Sequence, residues 1–154
     1  MIVIEKSKRT LTLYASNGSE QRKFQIHLGS SPEGAKRSEG DGKTPEGEYR
    51  IVSVNPKSKF RFAFGLSYPN RADAKLALRE KRISVFTALV IGLADVLGIR
   101  PPWQTKLGGF IMLHGEHPEG KTGDWTAGCI ALDNKDIDAL SKLVKKGERV
   151  RILP

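Results

Sequence analysis

Strict polar/apolar alternation on either side of turn chemistry opens this chain and commits its first half to β-structure. Thr10-Leu11-Thr12-Leu13-Tyr14 sets its leucines on one face, Ser16-Asn17-Gly18 supplies a turn, and Lys23-Phe24-Gln25-Ile26-His27-Leu28 alternates again. A period of two suits strands with one buried face and scatters the same residues around a helix. Ahead of them, Met1-Ile2-Val3-Ile4 reads as a short strand and Glu5-Lys6-Ser7-Lys8-Arg9 as a charged turn. That start lacks the basic region, apolar run and small-residue cleavage site of a secretory leader. Cytoplasmic residence and a mature or trimmed form are therefore both open. Further strands are expected at residues 49–54, 60–64, 110–113, 129–132 and 149–153, with the alternating phenylalanines of 60–64 sharing a face.

Between these strands lie two segments of other character. Residues 29–47 are rich in Gly, Pro, Ser and charge and carry no helical or strand period. Loops of that length inside a compact domain are commonly functional. Gly40–Gly47 lacks the spacing of a phosphate-binding Gly-rich loop, and Lys43-Thr44-Pro45 favours a turn into a strand. Residues 71–82 are strongly basic. Residues 83–99 then run almost wholly apolar for seventeen positions, interrupted by Ser84, Thr87 and Asp95. This is short of the roughly 20 residues of a membrane span. A packed core helix ended by Pro101-Pro102 is the first expectation, and a lid or membrane-contacting flap the second. Asp133 or Asn134 caps a helix whose Ile137, Leu140, Leu143 and Val144 share a face, with Gly147 as its stop.

Composition bounds the chemistry. With 154 residues the chain suits one domain. Its 26 Lys+Arg against 17 Asp+Glu leave a net charge of +9, which favours anionic partners without selecting one. No recognition-helix, zinc-finger or RNP-type motif accompanies the charge, so nucleic acid is the least supported partner. Lys142, Lys145, Lys146, Arg149 and Arg151 form a basic face that a non-catalytic module for an anionic cell-wall polymer would use, though such runs are more often solvated.

Cys129 is the only cysteine, which excludes an intramolecular disulfide and a Cys-rich zinc site. His114-x-x-His117 lacks a third metal ligand at sensible spacing, so no metal is expected. His27 reads as structural. A lone buried cysteine is usually a small hydrophobe. Here it sits in Asp124-Trp125-Thr126-Ala127-Gly128-Cys129-Ile130-Ala131-Leu132, fifteen residues beyond His114 in Leu113-His114-Gly115. A thiolate with a neighbouring imidazole to take or hold its proton is the minimum kit for nucleophilic catalysis. Gly128 leaves room for a substrate carbonyl, and the amides of Gly128 and Cys129 are natural oxyanion donors. Trp125 is read as a substrate wall, and Asp124 as a local hydrogen-bonding group.

These two strings together resemble the catalytic signature of the L,D-transpeptidase (YkuD-like) family. Gly29, the Gly40–Tyr49 stretch and Ser67-Tyr68-Pro69-Asn70 resemble its other recurrent segments, and only residues 75–105 stand apart as an insertion or lid. The resemblance implies a mainly β, single catalytic domain over residues 1–154, a sandwich or barrel with one or two helices and the apolar helical insertion. It implies Cys129 as nucleophile, His114 as its base, and the Gly115 carbonyl orienting the histidine. It also implies peptidoglycan stem peptides as substrate, no cofactor, and a place in the cell envelope or periplasm. Trp125, Thr126, Tyr68 and Asn70 are expected to contact substrate. Many members carry a histidine before the Gly-Cys pair and an arginine two positions after the cysteine. This chain has Ala127 and Ala131 there, resembling an Asp-Trp-Thr-x-Gly-Cys-Ile-Ala subgroup in which some members hydrolyse peptidoglycan-linked bonds instead of forming them.

Overall fold

The alternating segments pair into one continuous sheet that nearly closes on itself. The computed structural model describes residues 1–154. It contains β1 (Ile2–Glu5), β2 (Thr10–Tyr14), β3 (Glu20–Gln25), β4 (Gly47–Ser58), β5 (Arg61–Leu66), α1 (Arg71–Arg79), α2 (Val85–Val96), β6 (Met112–His114), β7 (Ile130–Ala131), α3 (Asn134–Leu143) and β8 (Arg149–Leu153). The strand order is β3-β2-β1-β8-β4-β5-β6-β7. Beyond β3 the chain bends across to the far edge: His27 and Ala131 exchange both backbone hydrogen bonds, at 2.8 and 2.9 Å, and Ser30 N–H reaches Thr126 O at 2.9 Å. The segment after β3 thereby covers the β7 edge, curling the sheet towards closure. Inside the curl lies a core of 21 buried residues, including Leu11, Leu13, Phe24, Phe64, Leu113 and Ile130. α3 plugs into it with Ile137 and Leu140.

The three helices fit the expected one or two plus the apolar insertion, while several finer expectations are corrected. One helix comes from the basic segment, where Asn70 caps α1: its side chain accepts from Ala72 and Asp73 N–H, and Asp73 returns a bond to Asn70 N–H. That Asn-x-x-Asp arrangement is a capping box, legible in the sequence once sought. Phe60 is not in a strand; it sits in the tight β4–β5 turn, where Arg61 adopts φ 70°. Leu143 is exposed, while Val144, past the end of α3, is buried. The Asp133 side chain makes no capping bond.

The largest departure concerns residues 83–99. α2 ends at Val96, before Pro101, and Gly98 takes a left-handed conformation (φ 64°) just past its end. It is not a core helix. Only Ile91 and Ala94 are buried, and with Ala74, Ala77 and Leu107 they make a small cluster separate from the main core. The rest of its apolar surface faces outward.

The 29–47 loop has no regular structure but is tightly held by two buried lysines. Lys6 Nζ donates to Gly34 O (2.7 Å), Thr44 O (3.1 Å) and Glu46 Oε1 (2.8 Å). Lys36 Nζ donates to Ser38 O (3.0 Å) and Asp41 Oδ1 (2.8 Å). Each buried ammonium finds two or three acceptors, the condition under which burying a charge is tolerable.

Candidate active site

Sheet register brings Cys129 and His114 to the same face. β6 and β7 run parallel, with Leu113 beside Ile130 and His114 beside Ala131. Leu113 and Ile130 point into the main core, so Met112, His114, Cys129 and Ala131 point the other way. Cys129 lies two residues back along the neighbouring strand direction from His114's level. At strand spacings that is about 8 Å between backbones, a gap an imidazole side chain can bridge.

His114 is fixed from several sides. Its Nδ1 lies 2.8 Å from Gly115 O, which sets Nδ1 as the protonated nitrogen and leaves Nε2 as an acceptor. Phe60 stacks on the ring at 4.4 Å and 22°, and Trp125 tilts against it at 5.6 Å. His117 completes the cluster edge-on to Trp125 at 4.9 Å. Position 115 has no room for a side chain: a Cβ would lie 2.5 Å from Asn134 Oδ1 and 2.7 Å from Phe60 O.

The Cys129 turn is shaped by Thr126 and Gly128. Thr126 is buried; its Oγ1 accepts from Gly128 N–H (3.1 Å) and donates to Cys129 O (2.7 Å). Gly128 sits at φ 129°, with its Cα side against the long loop, where a Cβ would meet Lys43 O at 2.5 Å. Gly29 packs just as tightly against Gly42 O, and its own amide donates to Thr44 Oγ1. The Gly-rich segment is therefore the bed on which the cysteine turn lies. Asp124 anchors the other side through long-range bonds, accepting from Leu28 N–H (2.8 Å) and from the Arg9 guanidinium (2.8 and 3.1 Å).

This geometry revises four expected roles. Gly128 N–H is spent on Thr126, so it is not a free donor, whereas the Cys129 N–H makes no hydrogen bond. Thr126 organises the turn instead of facing outward. Tyr68 is buried with its hydroxyl donating to Leu107 O (2.9 Å). Asn70, also buried, caps α1 and donates to Glu48 O (2.8 Å). The polar atoms of both are committed to the fold. Trp125 is half-buried beside His114. Two neighbours carried no signal in the sequence. Phe60 looked like one more strand phenylalanine, and Phe110, whose carbonyl receives the Cys129 thiol at 3.3 Å, looked like a strand start.

Electrostatics favour a neutral resting pair. Burial pushes the Cys129 thiol above its ordinary value, against weaker opposing pulls from Met112 N–H and the Lys36 charge. Burial likewise holds His114 below 6.5; the Gly115 carbonyl opposes this, and the Lys59 and His117 charges reinforce it. At neutral pH the buried imidazole is thus uncharged and the buried thiol protonated. Alkylation by iodoacetamide, followed by intact mass, is expected to be slow at neutral pH and to keep climbing above pH 9, because the folded thiol ionises later than a free one. A plateau reached below pH 8 would mean a preformed thiolate.

A family model, the YkuD L,D-transpeptidase catalytic domain, matches residues 1–152. YafK of Escherichia coli (strain K12), named provisionally as an L,D-transpeptidase, is 25% identical over 148 residues, 93% of this chain and 46% of YafK. The crystal structure of the helical cell shape determining protein Pgp2 from Campylobacter jejuni superposes with TM-score 0.68 at 26% identity, over 98% of this chain and 46% of Pgp2. Bd1075 of Bdellovibrio bacteriovorus superposes with TM-score 0.64 at 24% identity, over 99% of this chain and 47% of that one. The chain spans about half the length of the relatives it matches. With the family model reaching from the first strand to the last, across the His114 and Cys129 segments alike, this chain belongs to the L,D-transpeptidase catalytic-domain family.

Proposed function

We propose that this domain is a cysteine acyltransferase acting on peptidoglycan stem peptides in the cell envelope. The observation that carries the reading is the register placing Cys129 and His114 on one sheet face, with the imidazole's Nδ1 held by Gly115 O. In the proposed reaction His114 Nε2 takes the thiol proton as Sγ attacks the carbonyl that follows the L-centre of a diamino acid. The Cys129 amide receives the developing oxyanion. Collapse breaks the C–N bond, the leaving amine of the D-residue takes the proton from His114, and a thioester remains. An acceptor amine attacking the thioester regenerates the thiol and forms a cross-link.

A second reading uses the same thioester with water as acceptor, giving a carboxypeptidase or amidase. It draws on position 131, where the alanine is buried between His114 and His27 and supplies no cation to hold an acceptor carboxylate. Either reaction remodels the wall, the route by which such a domain would act on cell shape, the property Pgp2 is named for. Purified tetrapeptide muropeptides followed by mass spectrometry test both. Loss of the terminal D-residue with new cross-linked dimers marks transfer, and the same loss without dimers marks hydrolysis. No change in any stem peptide, with folded protein, overturns the proposal.

A further inference from the structure

We propose that the outward face of α2 and the groove beside it dock onto the surface of an anionic phospholipid bilayer. α2 protrudes from the small α1–α2 cluster with most of its apolar side chains in water. Phe86, Leu89 and Val96 are 76%, 66% and 70% exposed, and Leu93 and Leu97 are similar. An exposed apolar surface of that extent on a soluble domain marks a contact site. Between α2, α1 and the β4–β8 edge runs a groove of about 970 Å³. Its α2 wall is apolar (Val85, Leu89, Leu93), and the opposite side carries Arg50, Lys75 and Arg149.

The charges there are unequally matched. Of the groove's two acids, Glu48 is paired with Arg151, and Asp95 accepts from Arg71 N–H (3.3 Å) without an ion pair, leaving one unpaired acid against several cations. Arg50, Lys75 and Arg149 make no ion pair. Apolar side chains flanked by unpaired cations match the boundary where acyl chains meet anionic headgroups.

Two features single out a bilayer as the occupant. A peptide lying in the groove would cover Leu89 and Leu93 but leave Phe86, Leu97 and Ile99, which lie outside it, in water. A second copy meeting the first through this face would bring two sets of unpaired cations together about the two-fold axis. A bilayer surface covers both apolar sectors and supplies phosphates to the cations. No helix of the chain is long and apolar enough to cross a membrane, so the contact is one of lying on the surface.

Vesicle flotation tests this with the intact chain. Binding is expected to phosphatidylcholine vesicles doped with phosphatidylglycerol, weakly or not at all to phosphatidylcholine alone, and to fall with added salt. Phe86→Ser with Leu89→Ser, both on exposed positions, is expected to weaken it about tenfold or more. Lys75→Gln with Arg149→Gln is expected to weaken it on the doped vesicles. Cys129→Ala is expected to bind as the unaltered chain does, which separates this surface from the acyl chemistry. Absence of binding to the doped vesicles overturns the proposal. So does binding indifferent to the Phe86/Leu89 pair, which would be attraction by net charge alone. A lipid-free dimer seen by light scattering and dissolved by Phe86→Ser would overturn it in favour of a second copy.

Discussion

Cys129→Ala is expected to gain no mass on incubation with a carbapenem, while the unaltered chain gains one drug molecule. A carbapenem presents a strained carbonyl to the nucleophile, so the adduct reports the first half of the proposed reaction without needing the acceptor. Because Cys129 is the only thiol, the alanine variant decides whether sulfur is the attacking atom. An adduct that survives the substitution overturns the assignment. The more informative variant is His114→Gln. It keeps the thiol, keeps a hydrogen-bonding group of similar reach, and removes the base. Since burial leaves the resting thiol protonated, the loss of the base is expected to slow acylation about 10²- to 10⁴-fold at neutral pH. The residual rate should then rise steeply with pH as the thiol ionises unaided. For the unaltered chain the rate falls below pH 6.5 only once the depressed imidazole is protonated, so its acid limb should lie below that of a free histidine.

The second large effect is on the fold itself and reaches the site from a distance. Lys6→Met is expected to lower stability by about 3 kcal/mol, because it removes one partner of a buried ion pair and strips two backbone carbonyls of their donor. For a chain of this size that is a drop of roughly 10 °C in Tm. Lys8→Ala, which removes an exposed pair with Glu5, should leave the midpoint unchanged and serves as the control. Lys6 holds the segment whose Lys43 carbonyl lies against Gly128. The methionine variant should therefore also acylate more slowly at a temperature where it is still folded. Full acylation in a destabilised Lys6→Met would mean that the long loop does not support the cysteine turn.

Much of the sheet was legible because alternation is a local property. Leu11 and Leu13 had to share a face whatever came later, and so did Val150 and Ile152 at the other end of the chain. The family was legible through the glycine-flanked strings around His114 and Cys129, and a family model matching residues 1–152 bears it out. Local pattern failed where a residue's surroundings come from elsewhere in the chain. The apolar run 83–99 looks like a core helix, but hydrophobicity says only that burial would be favourable, and the main core was already filled by 21 other residues. Tyr68 and Asn70 resembled site residues by their string, yet tertiary contacts spend their polar atoms on Leu107 and on the start of α1.

The sequence by itself determined that this chain builds a strand-rich domain carrying a single thiol, since side-chain period and residue identity need no partner to be read. Only the tertiary structure decided that the sheet curls until His27 meets Ala131, and that Phe60 rather than a polar group backs the imidazole. It alone decided that the Gly128 amide is already taken and that burial pushes the thiol above its ordinary value. Hydrogen-bond supply and desolvation depend on what long-range packing brings against a group, and no local stretch of residues contains that information.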